Sequence, residues 1–237
     1  DAGAADDSLD RELRVARDAL SAGAQRLSAA RHDAAGRLAG DLEALLPTLG
    51  ISDGRFTVEL HSLPDTGADG DEEVEFTVAL NVGHAPRPLA RIASGGELSR
   101  VMLAIKTILA RLDRVPTLIF DEVDVGIGGA VALQVGDALR RVAEHHQVFA
   151  ITHLPQIAVR AHHQIVVAKS ARGGVTTADT QVVTGEPRVR ELARMLGGDP
   201  ESVVSREHAR ELIATASEPT APPPKGGNTR ARKSGQR

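Results

Sequence analysis

The start of the chain carries its longest periodic pattern of apolar and polar positions. Between residues 8 and 46, apolar residues recur alternately three and four positions apart, with Arg, Asp and Glu between them and no proline. The stripe consists of Leu13, Ala16, Leu20, Gly23, Leu27, Ala30 and Ala34, continued by Leu38, Leu42 and Leu45. A helix of this length extends roughly 57 Å at about 1.5 Å per residue. An amphipathic surface helix is one interpretation, but the narrow, alanine-rich stripe favours a coiled-coil arm whose partner is not evident in this chain.

After Pro47 the pattern changes twice. Residues 55–61 and 73–80 alternate apolar and polar side chains, which predicts a β-hairpin with a long acidic connection. From Ser94 onward, short aliphatic strands alternate with helices, as in "TLIFDE" and the helix that follows it. Uninterrupted aliphatic strands between helices are typical of a mostly parallel sheet covered on both faces. The predicted fold class is therefore α/β, with a long coiled-coil helix preceding a mostly parallel sheet flanked by helices.

The chain divides into three predicted parts: a helical arm over residues 1–46, a folded lobe over 47–216 and a tail over 217–237. The tail is rich in proline, glycine and charge and lacks large apolar residues, so we expect it to be disordered. Five basic residues against one acid give the tail +4, which leaves −8 for the rest of a chain whose net charge is −4. This balance excludes a globally basic nucleic-acid binder. The tail itself either contacts DNA phosphates or is merely solvated.

Composition excludes further classes of protein. Without cysteine the chain has no disulfides and no thiolate metal site. No apolar run approaches the roughly 18–20 residues of a membrane span, and no signal peptide is visible. We predict a cytoplasmic, nucleoid-associated protein without a membrane partner. Because the sequence begins "DAGAADD" without methionine, we interpret it as part of a longer or processed chain.

The segment "SGGE" at residues 94–97 is a candidate anion site. Ser94 is a plausible N-cap, and Gly95 and Gly96 leave backbone amides bare at the start of a long helix. Unpaired amides and the positive end of the helix dipole attract anions. An ordinary glycine turn with a helix cap is the alternative when the segment is considered alone.

The segment "TLIFDEVDVGIGG" at residues 117–129 places two adjacent acids, Asp121 and Glu122, at the carboxyl end of an aliphatic strand. Parallel sheets bind ligands at that edge. Because successive strand residues point to opposite sides, we expect one acid to hold Mg²⁺ and the other to orient and deprotonate a water. Strand-end acids facing solvent are the alternative. Asp124 follows in a turn that could aim a carboxylate across an interface.

His153 ends the next strand, "VFAITH", and adjacent parallel strands would bring it to the same edge as the two acids. An imidazole there could bond a phosphate oxygen, although a lone strand-end histidine is more often structural. A phosphate-binding loop of the form GxxxxGK[ST] is missing from the sequence. The residues therefore predict half of an active site.

Together, "SGGELSR", "TLIFDEVDVGIGG" and "ITHLPQ" resemble the signature motif, the Walker B motif with its D-loop, and the switch histidine of ABC-type ATPases. Their order, after a heptad helix, is similar to the SMC-like branch of that family. The resemblance covers roughly residues 20–216 and implies that Ser94, Gly95, Gly96 and Glu97 bind ATP held by an opposite subunit. It also implies that Asp124 lies in the D-loop at the dimer interface.

For catalysis, the resemblance implies that Asp121 holds Mg²⁺ through water, that Glu122 is the general base and that His153 senses the γ-phosphate. It further implies a homodimer with ATP between its heads, an N-terminal Walker A lobe and a coiled-coil partner outside this chain. The implied function is ATP hydrolysis coupled to head dimerisation in DNA double-strand-break repair and recombination. The head of another SMC-like or ABC-type ATPase, including a transporter cassette, and a non-enzymatic interaction fragment are the alternatives.

Overall fold

A computed structural model describes residues 2–172, 175–197 and 199–216. The helices are α1 (Ala2–Leu45), α2 (Gly95–Leu109), α3 (Gly129–Val142), α4 (Pro155–Ala158), α5 (Gly185–Met195) and α6 (Val203–Ala216). The strands are β1 (Arg55–Gly67), β2 (Gly70–Ala79), β3 (Arg87–Pro88), β4 (Thr117–Phe120), β5 (Gln147–Ala150), β6 (Gln164–Arg172) and β7 (Val175–Val183). The described residues form two compact units, one within residues 2–44 and 52–92 and the other within 45–51 and 93–216. The predicted tail, 217–237, lies outside the described residues.

The first unit combines α1 with an antiparallel sheet of order β1-β2-β3. Ser28 on α1 donates a hydrogen bond of 2.6 Å to the Glu72 carboxylate on β2. A Cβ on Gly70 would lie 3.0 Å from the Leu27 side chain, so the hairpin end packs closely on the helix. The predicted long helix is confirmed, and the packed contacts are on its second half.

The hairpin connection is shorter than its sequence predicts. Strand β1 continues to Gly67 and β2 begins at Gly70, so two residues join strands that were expected to be separated by a long loop. The register shifts between Ser62 and Gly67, which accommodates the proline within β1. Gly70 has φ +95°, a conformation that glycine adopts without steric penalty.

The second unit is built around β4 and β5, which pair in parallel with Phe120 opposite Ala150. Helices α2 and α3 pack on each other, and α3 also contacts β5. The α/β class is confirmed. The parallel sheet is smaller than expected, however, because two strands pair in parallel among the described residues, whereas β6 and β7 form a separate antiparallel hairpin.

One face of the parallel pair is open to solvent, in contrast to the expected sheet covered on both faces. The exposed fractions are 70% for Ile119, 44% for Phe149 and 59% for Ile151. Paired residues of parallel strands point to the same side, so these three side chains form one apolar surface. Large apolar groups exposed together in this way are a common feature of interaction surfaces.

Helices α4, α5 and α6 form a second apolar cluster in the same unit. Leu192 and Ala193 of α5 and Ala209 of α6 are fully buried there. Arg140 and Arg160 both donate hydrogen bonds, of 2.8 and 2.9 Å, to the carbonyl of Ala216 at the end of α6. These bonds satisfy a carbonyl that lacks an intrahelical partner and fix the end of the helix.

Candidate active site

Helix α2 begins with the predicted cap. Ser94 lies outside the helix with extended backbone, and its hydroxyl accepts a hydrogen bond of 3.4 Å from the backbone N–H of Glu97. Gly95 is exposed and Gly96 is buried, so the helix presents its first amides beside two residues without side chains. The expectation that Ser94 caps a helix is confirmed, and the positive end of the helix dipole lies at this point.

The two adjacent acids follow β4 directly. The Oδ1 atom of Asp121 accepts a bond of 2.9 Å from the backbone N–H of Glu122. Glu122 has φ 58°, which is unusual for a residue with a side chain and costs on the order of 1–3 kcal/mol. The strand ends before these residues, so the left-handed backbone of Glu122, rather than strand alternation, separates the two carboxylates. Strained residues of this kind cluster at functional sites.

The Glu122 carboxylate lies against the first residue of α2. A Cβ added to Gly95 would overlap its Oε2 atom. A Cβ on Gly96 would lie 3.0 Å from the Val125 side chain and 3.1 Å from the carbonyl oxygen of Glu122. The absence of a side chain at Gly96 therefore allows the close approach of the helix to the turn after β4, and its absence at Gly95 leaves room for the Glu122 carboxylate. The structure brings the "SGGE" segment and the acid pair together, as a shared site requires.

Asp124 is buried rather than directed outward. Its residue is 4% exposed, and its Oδ2 atom accepts hydrogen bonds from the Thr152 hydroxyl at 2.5 Å and from the backbone N–H of His153 at 2.8 Å. The same oxygen lies 3.0 Å from Nδ1 of His153. His153 thus reaches the turn after β4, as the parallel arrangement predicts. The carboxylate of Asp124, expected to point across an interface, instead binds the loop after β5 of its own chain.

Arg100 is a further residue of the site that sequence reasoning missed. It lies on α2, is 4% exposed, and donates a bond of 2.8 Å from Nη1 to the carbonyl of Val125. Burial lowers the pKa of Arg100, and the neighbouring Glu97 carboxylate opposes that shift. Its position in "SGGELSR" could have indicated this role, because an arginine six residues after the cap lies near the helix face that carries Gly96. Thr152, beside the predicted histidine, was missed in the same way.

Comparison with known proteins identifies the family. The chain is 46% identical over 206 residues to the DNA repair protein RecN of Treponema pallidum, and 44% identical over 216 residues to RecN of Streptomyces coelicolor. Each comparison covers 84% of this chain. The chain belongs to the RecN family. It spans 36% and 38% of the length of these two curated relatives, so it corresponds to a part of a RecN protein. No family model matches the chain.

Solved structures similar to this chain include two from SMC proteins. The Smc head domain with a coiled coil and joint from Pyrococcus yayanosii has a TM-score of 0.46 at 20% identity, covering 66% of this chain and 28% of that chain. A chain from a study of ATP-driven dimerisation and DNA-stimulated activation of SMC ATPases has a TM-score of 0.41 at 19% identity, covering 67% of this chain and 91% of that chain.

Directly after β4, Asp121 offers a carboxylate of the type that Mg²⁺ prefers. Asp121 is exposed, and one of its two oxygens is engaged by the Glu122 amide. Among the described residues, Asp121 belongs to no group of three side chains that could hold a metal between them. Mg²⁺ characteristically takes one or two carboxylates and completes its shell with water and phosphate oxygens, so the residues present fit this ion.

A cleft of about 320 Å³ lies beside Asp121. Side chains of α2, including Met102 and Lys106, line one wall, and residues 118–121, from β4 and the position directly after it, line the other. Among the described residues, β4 pairs with β5 on one edge and its other edge is unpaired, and no residue of β5 lines the cleft. In the part that the structure describes, no helix is long and apolar enough to cross a membrane.

Proposed function

We propose that this chain is the C-terminal portion of the ATP-hydrolysing head of an SMC-like RecN protein that acts in DNA double-strand-break repair and recombination. The observation that carries the proposal is the convergence of the capped N-terminus of α2, the strained Glu122 and the Asp124–His153 pair at one edge of β4 and β5. Membership of the RecN family supports this assignment over a transporter cassette. ATP hydrolysis is coupled to dimerisation of two heads, and the bound partner is DNA.

The groups at this edge match what hydrolysis of ATP demands of a protein, which is mainly positioning and charge stabilisation. The amides of residues 94–97 bind the phosphates of the nucleotide held by a second subunit. Asp121 holds Mg²⁺ through water, and Mg²⁺ supplies charge neutralisation at the phosphates. Glu122 orients and deprotonates the attacking water, and His153 contacts the γ-phosphate.

The rest of the head covers the open surfaces of this unit. Ile119, Phe149 and Ile151 form an exposed apolar face, and residues of β4 line the cleft beside Asp121. A second lobe that carries the phosphate-binding loop would bury this face and complete the site. The open face and the missing GxxxxGK[ST] loop in the sequence support the same division of the head into two lobes.

The first half of α1 is proposed as one helix of a coiled-coil arm. Leu13 and Leu20 are 47% and 51% exposed, although they belong to the apolar stripe. A second helix with a matching heptad pattern would bury them. Such an arm would transmit opening and closing of the heads to bound DNA.

The test of the proposed function is turnover of ATP by the full-length protein with Glu122→Gln. The substitution keeps the size of the side chain and removes its capacity to accept a proton, so we expect a fall in kcat of roughly 10²–10⁴-fold. Glu144→Gln is the matched control, because Glu144 is exposed at the end of α3 outside the site. Undiminished turnover in the Glu122→Gln protein would overturn the role of this residue.

The isolated chain provides a second measurement. We expect little or no hydrolysis of ATP with Mg²⁺ by this segment alone, and recovery of turnover when the remainder of the protein is supplied. Robust turnover by the segment alone would contradict the division of the site between lobes. A full-length protein that binds DNA but never hydrolyses ATP would favour a non-enzymatic interaction role.

A further inference from the structure

The Asp124 carboxylate binds the loop of His153 within a single chain. Its side chain is 5% exposed, whereas the side chain of His153 is 74% exposed. One oxygen of Asp124 accepts bonds from the Thr152 hydroxyl and the His153 backbone and lies 3.0 Å from Nδ1 of the imidazole. The buried acid therefore holds one edge of the ring and leaves the other edge free.

We propose that Asp124 and Thr152 are positioning residues that fix His153 with its proton on Nδ1 and its Nε2 directed outward. This inference rests on the proposed function, in which His153 contacts a phosphate. It assigns Asp124 a role within its own subunit, distinct from the contact with a partner that the sequence resemblance implies.

The tautomer follows from the chemistry of the contact. A carboxylate only accepts hydrogen bonds, and two lone pairs 3.0 Å apart repel, so the ring nitrogen facing Asp124 carries the proton. The neutral imidazole then has an unprotonated Nε2 as its exposed nitrogen, and this nitrogen must take up a proton before it can donate a hydrogen bond to a phosphate oxygen. A carboxylate that orients a histidine through Nδ1 serves the same purpose in hydrolytic triads, where it fixes the tautomer and the direction of the ring.

Thr152 completes the binding of Asp124. Its hydroxyl donates to Asp124 and accepts a bond of 3.0 Å from the backbone N–H of Leu154. A single hydroxyl can do both, whereas a methyl group of similar size can do neither. Valine at this position would keep the shape of the side chain and remove both bonds.

Arg100 holds the turn that carries Asp124. Its bond to the Val125 carbonyl joins α2 to the residue next to Asp124, and its guanidinium is almost completely buried. The position of His153 is therefore tied through Asp124 to the helix that begins with the nucleotide-binding segment. These contacts form within one chain, before any second subunit is present.

The test is a long-range ¹H–¹⁵N correlation spectrum of the ¹⁵N-histidine-labelled chain at about pH 8, where an ordinary histidine is neutral. We expect His153, assigned by loss of its signals in His153→Gln, to show the Nδ1–H pattern, although neutral imidazole in water favours Nε2–H. Thr152→Val should shift the population towards Nε2–H, and Thr152→Ser, which restores the hydroxyl, should return it. Glu144→Gln is the control for loss of an exposed acid.

Asp124→Asn gives a second reading, because its amide can present an N–H to the ring and reverse the tautomer. An Nε2–H pattern in the wild-type chain, or a pattern unchanged by Thr152→Val in a chain whose melting curve shows it folded, would overturn the proposal. In the full-length protein we expect Thr152→Val to lower kcat by roughly tenfold, with KM retained and with rescue by serine. The tautomer is read without ATP, so failure of the Glu122→Gln test would refute the proposed function and leave this result standing.

Discussion

The neighbouring glycines at the start of α2 allow a matched pair of substitutions, Gly95→Ala and Gly96→Ala. Both occupy the first turn of the same helix, so both variants gain the preference of alanine over glycine, up to about 1 kcal/mol. Their surroundings differ. The new Cβ at position 95 meets the carboxylate end of Glu122, a side chain that is exposed and can rotate away.

At position 96 the new Cβ meets atoms that cannot rotate away. They are the Cβ of Val125 at 3.0 Å, the carbonyl oxygen of Glu122 at 3.1 Å and Nη1 of Arg100 at 3.2 Å. Moving the turn by a few tenths of an ångström would stretch the bond between Arg100 and Val125. Overpacking of this kind costs about 1–3 kcal/mol. Because the helix preference cancels between the variants, their difference in free energy of unfolding should equal that term, about 1–3 kcal/mol.

The assay is urea unfolding followed by far-UV circular dichroism, since the chain lacks tryptophan and tyrosine. We expect Gly95→Ala to be at least as stable as the wild type and Gly96→Ala to be less stable. In the full-length protein, Gly95→Ala should nevertheless lose ATP turnover, because its methyl group displaces Glu122. Equal stability of the two variants would refute the close packing of the turn on α2.

Two further predictions concern the segment between α2 and β4. His146 is 8% exposed and its two ring nitrogens lie 2.7 and 3.0 Å from the carbonyl oxygens of Val115 and Ala110, so His146→Leu should lower the free energy of unfolding by about 1–3 kcal/mol, measured by urea titration. A hydrogen bond from Lys106 lowers the pKa of Asp113 below its ordinary value of 3.8, so this carboxylate contributes stability above that pH which is lost on acidification. Asp113→Asn should therefore flatten the decline of the melting temperature between pH 5 and about pH 3; a decline identical to that of the wild type would contradict this.

Local patterns predicted the elements that carry the site. The cap at Ser94 could be predicted because a serine before two glycines and an apolar stripe offers the helix its first acceptor. The approach of His153 to the turn after β4 could be predicted because parallel strands end at one edge. The first inference depends on hydrogen bonding between neighbours in the sequence. The second depends on the rule that parallel strands end at the same edge of a sheet.

The directions of the side chains could not be predicted in the same way. The left-handed backbone of Glu122 and the inward carboxylate of Asp124 depend on packing against residues far along the chain, Gly95 and Thr152. Strand alternation assigned the two acids to opposite sides, but that rule ends with the strand at Phe120. The hairpin loop was predicted too long because a proline and several acids obscured the pattern of a strand whose register shifts.

In this unit, residues whose side chains form hydrogen bonds within the chain lie beside residues that are exposed to solvent. This difference bears on how the site is controlled. Asp124 accepts two hydrogen bonds within the chain, and Arg100 joins its turn to α2, so these contacts hold the turn and His153 before any partner binds. Asp121 and the apolar face around Ile119 remain exposed. Because the turn and His153 are already in position, they lose little conformational freedom when the site closes. Closure can therefore be driven by burial of the apolar face. In the proposed function, hydrolysis would then be limited by assembly of the two lobes rather than by movement of the residues proposed to lie next to the phosphates. On this reasoning, substitutions in the apolar face around Ile119 should weaken assembly and leave the tautomer of His153 unchanged. Thr152→Val should instead shift the tautomer and leave assembly unchanged.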